Sequence, residues 1–339
     1  MPEGRGRTAA IAGLIFVVLY VIGLLSGDDR DGTQVAREIE VVPTTVVTTT
    51  TLAPPTSVVT ARLLVSMPAP VARAAASADP TGGVIIAGGS NTKKAPVAQV
   101  LRFDPATFTF APVGSLAEPL QKPAAVTLPS GVLVLGGAGA EKPTGAVQSV
   151  AGGKVAAAGK LTEPRTDLAA AVIGSTVYVV GGFDGGREPT TLLASDDGGK
   201  TFRPVGTLLS GNRNGSLVAV GKVLYLIGGE ENGKQVPRIL RIDPNDATSA
   251  QIGVLPAPLS QAAAFVLDRS LFVAGGRLGP NASDQVLRID LDTGVVTLAG
   301  RLPEPLANPA VAVVGDRAWL FGGESTAPSA AVIEVRAAS

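Results

Sequence analysis

The chain has 339 residues, and its 28 Lys plus Arg balance 28 Asp plus Glu, so no net field recruits nucleic acid or steers a charged partner. It holds neither His nor Cys, which removes the commonest general base and metal ligand together with thiol nucleophiles, disulfides, cysteine-bound metal clusters and a lipid anchor on cysteine. No metal site and no cofactor is expected, and 42 Gly with 26 Pro among short Val/Leu/Ala runs point to many strands joined by tight turns.

A short tail, residues 1–7, carries Arg5 and Arg7. From Thr8 to Gly27 no charge occurs in 20 residues, and Ile11, Leu14, Ile15, Phe16 and Leu19 are among the bulky apolar side chains. At about 1.5 Å per residue, a helix of that length crosses a hydrocarbon core of roughly 30 Å. The sequence therefore predicts a transmembrane signal anchor over 8–27, with the lipid bilayer as its partner. Basic residues precede the run and Asp28, Asp29 and Asp31 follow it. The positive-inside bias then puts the amino terminus in the cytoplasm and everything after Gly27 outside. A cleaved secretory signal is the alternative, although the run exceeds the usual apolar region of roughly 7 to 15 residues and no clear Ala-x-Ala site follows. Residues 28–57 begin acidic and become Thr/Val/Pro-rich from Val42. They read as a disordered linker whose threonines are candidate O-glycosylation sites.

From Val58 onward one phrase recurs, a short apolar strand ending in two glycines. Its copies end at Gly88-Gly89, Gly136-Gly137, Gly181-Gly182, Gly228-Gly229, Gly275-Gly276 and Gly322-Gly323, in steps of 48, 45, 47, 47 and 47 residues. A fixed period of this size with several short strands per unit marks a β-propeller. In the third unit the predicted strands are Leu168 to Ile173, Val177 to Val180, about Thr190 to Ser195 and Thr201 to about Val205. The first strand of each unit is small, as in Ala74-Ala75-Ala76, Ala169-Ala170-Ala171 and Ala310-Val311-Ala312, which suits strands converging on an axis. The second strands carry larger apolar residues, buried between neighbouring blades.

Only 16 residues follow Gly323, enough for a third strand at about Ala330 to Val335 but not for a fourth. Val58 to Val65 can supply it. Residues 58–339 number 282, six times 47, so the expected fold is all-β: a six-bladed β-propeller of four-stranded antiparallel blades over 58–339, closed by strand 58–65 and preceded by one transmembrane helix.

The diglycines, the aromatics Tyr178, Tyr225, Phe272 and Trp319 three residues before four of them, and Pro164-Arg165 at the opening of a unit together resemble the kelch repeat. The match is degenerate, since the Trp expected on the fourth strand is replaced by Phe108 and Phe202 in two units and is absent elsewhere. Ser195-Asp196-Asp197-Gly198-Gly199-Lys200-Thr201-Phe202 resembles the Asp-box of sialidases and other propellers. There it is a turn whose Asp bonds backbone amides away from the ligand face, and the same structural role is expected here. Asp290-Leu291-Asp292-Thr293-Gly294 is too short for a full calcium loop.

The resemblance includes copper radical oxidases, which need His and Cys that this chain lacks. Sialidase chemistry needs a free tyrosine, but Tyr20 lies in the apolar run and Tyr178 and Tyr225 in second strands. Sugar epimerisation or mutarotation, as in some bacterial kelch proteins, needs only carboxylates and Arg. In propellers of this kind the loops after the diglycines share one face with those before the first strands. The ligand-binding candidates on it are Arg165, Asp184, Arg187, Arg213, Glu230, Glu231, Arg277 and Glu324, with ordinary solvated loops as the bland reading of the same residues. Two functions stay open: an envelope-anchored recognition module that binds a protein or glycan through this face, or a carbohydrate-active isomerase or lyase at the axis. Fold alone does not choose between them.

Overall fold

The structure, a computed structural model, describes residues 58–338. The expected tail, the anchor over 8–27 and the linker over 28–57 lie outside the described residues. Among the described residues, no helix is long and apolar enough to cross a membrane.

Six four-stranded antiparallel sheets form the blades of a propeller. Blade 1 comprises Ala75–Ala78, Val84–Ala87, Val97–Asp104 and Thr109–Leu120, and blade 2 comprises Ala124–Leu128, Gly131–Leu135, Ala146–Ala151 and Lys154–Lys160. Blade 3 runs through Thr166–Ile173, Thr176–Phe183, Thr191–Ser195 and Arg203–Thr207, and blade 4 through Ser216–Val220, Val223–Ile227, Arg238–Asp243 and Thr248–Val254. Blade 5 contains Ala263–Leu267, Ser270–Ala274, Gln285–Ile289 and Val296–Arg301. Blade 6 contains Ala310–Val314, Arg317–Phe321 and Ala331–Ala337, and its outer strand is Val59–Ser66, paired antiparallel with Ala331–Ala337 from Val59 opposite Ala337 to Ser66 opposite Ala331. In blade 3 the second strand continues through its diglycine to Phe183, because Thr166 pairs with Phe183 and extends the ladder beyond the predicted end at Val180.

The diglycine is the joint between blades. The amide of its second glycine donates to the carbonyl that precedes the next blade's inner strand: Gly89 N to Leu120 O at 2.7 Å, Gly137 to Arg165 at 2.8 Å, Gly182 to Asn212 at 2.7 Å, Gly229 to Leu259 at 2.8 Å, Gly276 to Leu306 at 2.7 Å and Gly323 to Val71 at 2.9 Å. That carbonyl sits where a side chain on the first glycine would project; a Cβ on Gly136 would lie 2.5 Å from Arg165 O. Both glycines have left-handed φ, 59° at Gly136 and 100° at Gly137, so steric contact and backbone conformation select glycine independently.

The second strands are buried along almost their whole length, and their side chains form six apolar clusters, one at each blade interface. At the interface of blades 6 and 1, Trp319 is fully buried with its ring 5.1 Å from that of Phe103. The inner strands line an axial channel of about 490 Å³, walled by alanines but also by Leu217, Val218 and Phe265. Convergence on the axis therefore favours small residues without excluding large ones.

The Asp-box is a turn. The Asp197 carboxylate accepts from Ser195 Oγ at 2.8 Å, Thr201 Oγ1 at 2.6 Å and the amides of Lys200 and Thr201 at 3.0 Å. The Thr201 bonds above all hold this carboxyl well below the usual range.

Deleting residues 58–66 leaves Ala331–Ala337 as an unpaired edge strand, a template for association. The expected result is aggregation and loss of the cooperative calorimetric transition, whereas Thr60→Ala on the exposed side of the same strand leaves the transition in place. A monomer with an unchanged midpoint after the deletion contradicts a stabilising role for the seam.

Candidate functional site

Each blade contributes one residue to the mouth of the axial channel, just before its inner strand or, for Asp167, at its start: Arg73, Lys122, Asp167, Asn214, Gln261 and Asn308. All six have left-handed φ, between 51° and 60°, a conformation sparsely used by non-glycine residues. Backbone bonds link each to its neighbour around the axis except between Lys122 and Asp167, which are joined through their side chains. Lys122 N donates to Arg73 O at 2.7 Å, Asn214 to Asp167 at 3.0 Å, Gln261 to Asn214 at 2.8 Å, Asn308 to Gln261 at 2.8 Å and Arg73 to Asn308 at 3.2 Å. The space they enclose is about 110 Å³.

A second circle lies outside the first, formed by the residue after each diglycine. It consists of Ser90, Ala138, Phe183, Glu230, Arg277 and Glu324, each paired with the residue that precedes a mouth residue. Blades 1 and 2 place small residues here, and blades 3 to 6 place large ones. Arg277 Nε donates to Gln261 Oε1 at 3.0 Å, and its NH2 to Glu324 Oε1 at 3.4 Å. The same Glu324 oxygen accepts from Arg73 NH2 at 3.0 Å and Asn308 Nδ2 at 2.9 Å. On the other side of the mouth, Lys122 Nζ pairs with Asp167 and reaches past blade 3 to Asn214 Oδ1 at 3.3 Å. Burial pushes the Glu324 carboxyl up, but the Arg73 and Arg277 charges and the Arg73 and Asn308 bonds outweigh it, and the carboxyl sits below its ordinary value.

Of the eight sequence candidates, Arg277 and Glu324 join this axial cluster. Arg213 turns away from it, 3.2 Å from Glu230 and 3.4 Å from Glu188, with its guanidinium 5.4 Å from the Phe183 ring. Glu231 pairs with Arg238. Asp184 caps the amides of Gly186 and Arg187 at 2.8 Å and pairs with the Arg187 side chain, which is 74% exposed.

Arg165 is not a ligand fork. Its side chain is 0% exposed, with NH1 donating to Gly181 O at 3.1 Å and Thr191 O at 3.0 Å, and NH2 to Glu163 at 2.5 Å. Burial pushes this guanidinium below its ordinary value, against the pull of Glu163. Arg165 occupies the joint position held by Asn212 in the next blade and by Leu120, Leu259 and Leu306 elsewhere, whereas Arg213 lies one residue further along its own blade. Asn212 makes the matching bond, Nδ2 to Gly228 O at 2.9 Å.

All six mouth residues, Arg73, Lys122, Asp167, Asn214, Gln261 and Asn308, were missed in the sequence. The available signal was a polar residue at one repeat position, just before each small-residue strand.

Removing the buried guanidinium with Arg165→Ala leaves the Gly181 and Thr191 carbonyls without this donor and Glu163 with Arg187 alone, with an expected cost of about 1 to 3 kcal/mol, whereas Arg187→Ala stays within about 0.5 kcal/mol. Arg165→Leu, matching three other blades, recovers part of the loss; denaturant melts measure all three. Because the folded-state carboxyl of Glu324 lies below its unfolded value, its stabilisation is complete above that value and disappears as pH falls through the folded one. The stability advantage of wild type over Glu324→Gln is therefore expected to hold above the ordinary glutamate value of 4.5 and to shrink as the pH falls below it.

Residues 164–194 match the family model of the Kelch motif. No curated protein sequence matches the chain. Among solved structures, one described as the structure of YjhT is similar, with a TM-score of 0.69 and 15% identity, covering 79% of this chain and 95% of that one. At that identity the likeness shows the fold alone. The motif match, the six diglycine joints and the ring of blades make residues 58–338 a kelch-like six-bladed β-propeller.

Proposed function

We propose that the chain is an envelope-anchored recognition module that holds the terminal sugar of a glycan at the axial mouth of its loop face. The observation that carries this reading is the mouth itself: six polar side chains, one from each blade, around about 110 Å³. Amides and cationic groups on a rigid ring offer hydroxyl-bearing ligands many fixed donors and acceptors at low ordering cost. The unequal outer circle gives a ligand an open approach over Ser90 and Ala138. A kelch-type propeller is a binding module in the broad sense; the glycan, the envelope location and residues 8–27 as the anchor belong to this proposal.

The Glu324 cluster also favours the second reading, an isomerase or lyase, because it puts a carboxylate between two arginines at the axis. Its protonation argues against that. Acid–base catalysis works best with a pKa near the working pH, and this carboxyl is displaced the other way, with several donors converging on one oxygen.

A glycan array probed with the full chain is expected to show retention that falls at least tenfold, or about 1.4 kcal/mol, in the double variant Arg73→Gln/Lys122→Gln. Arg187→Ala should retain binding, and thermal melts should show each protein folded. Undiminished retention by the folded double variant refutes the mouth as the site, and turnover of a captured sugar selects the enzyme reading. For the anchor, the full chain should resist a carbonate wash of membranes, and external protease should release a fragment that begins within residues 28–57.

A further inference from the structure

The opposite face carries a second cavity, of about 280 Å³, between blades 1 and 2. Two departures from the repeat meet there. At the position three residues before the diglycine, blades 3 to 6 place Tyr178, Tyr225, Phe272 and Trp319, whereas blade 1 has Ile85 and blade 2 has Leu133. The blade 2 shortfall is made good by its neighbour: Phe202, beside the blade 3 Asp-box, is buried in the same cluster as Leu133. The equivalent turn of blade 2 is only Gly152-Gly153, which brings no side chain over Ile85. Each of the other five clusters contains an aromatic side chain or has one packed against it, and the cluster at this interface has neither.

Blade 1 adds a polar group at the rim. Its first hairpin loop has five residues, Asp79 to Gly83, where the other blades have two. Asp79 Oδ1 accepts from the Thr81 amide and hydroxyl at 2.6 and 2.5 Å, while its Oδ2 accepts from Arg102 Nε at 2.6 Å. Arg102 NH2 donates to Thr81 Oγ1 at 3.0 Å. A guanidinium has five N–H donors, and among the described residues NH1 of Arg102 makes no hydrogen bond. The cavity thus has apolar walls, including Ile85, Val113 and Val150, and charge-assisted donors at its edge. The Asp79 charge offsets that of Arg102, so an uncharged acceptor suits the site better than an anion.

We propose that this cavity binds a small uncharged ring compound, its ring packed on Ile85 and Val150 where the repeat lacks an aromatic side chain, and its one hydrogen-bond acceptor directed at Arg102. The volume is enough for one ring of benzene's size, which an enclosed apolar cavity of roughly 150 Å³ takes up, although this pocket is open to solvent on one side. The site is separate from the axial mouth and is independent of its ligand.

The test is a titration of the full chain with acetophenone and with toluene, matched in ring but differing in the acceptor, followed through the methyl resonances of Ile85 and Val150 at matched free probe concentration. Acetophenone is expected to bind about tenfold tighter or more, as a hydrogen bond to a charged donor implies. Ile85→Phe restores the aromatic of the repeat and should abolish binding of both probes. Arg102→Met should reduce acetophenone to the level of toluene. Absence of binding to wild type, equal binding of the two probes, or undiminished binding by folded Ile85→Phe overturns the proposal. If Arg102→Met does not fold, the wild-type pair of probes and Ile85→Phe still decide.

Discussion

One hydrogen bond, repeated six times, governs this molecule: the amide of the second glycine in each blade donates to the carbonyl that leads into the next blade. It fixes the distance between adjacent inner strands and leaves no room for a side chain on the first glycine. The apolar second strands are thereby brought face to face, so burial and the joint stabilise the same arrangement. The joint also sets the mouth, because the residue two places after each accepting carbonyl becomes a member of the axial ring. Side chains as different as Arg73, Asp167 and Gln261 share one backbone conformation for this reason.

The ring of positions is regular, but its chemistry is not. Cations stand in blades 1 and 2, a carboxylate in blade 3 and amides in blades 4 to 6. The outer circle is low over the first two blades and bulky over the rest, with Glu324 cross-linking blades 5, 6 and 1 through Arg277, Asn308 and Arg73. A scaffold needing only closure has no use for this inequality. The recognition reading rests on it, as the reading against acid–base chemistry rests on the low proton affinity of Glu324.

The propeller was legible in the chain because its determinants are local and periodic. Diglycines, small inner strands and apolar second strands each recur at the same interval, and the strand at Val59–Ser66 pairs into the last blade. The site was harder to read because charge does not indicate direction. Arg165 looks like a surface fork by composition, yet it stands where other blades place leucine, and only alignment of the repeats against the joint exposes it as a buried tie. Conversely, Asn214, Gln261 and Asn308 are unremarkable amides in sequence and acquire meaning only when six blades bring them to one point. Arg277 and Glu324 were found because they directly follow diglycines, a position the fold itself carries toward the axis.

The pairing of Val59 with Ala337 joins a strand that precedes all six blades to the third strand of the last one. The strand that completes the ring precedes every blade in the sequence and stays without its partner until the third strand of the last blade is made, so its edge is open to neighbouring nascent chains in the meantime. Contacts of such sequence separation make folding slow. Helpers that shield extended segments during biogenesis would therefore matter more for this protein than for one whose last blade closes on itself.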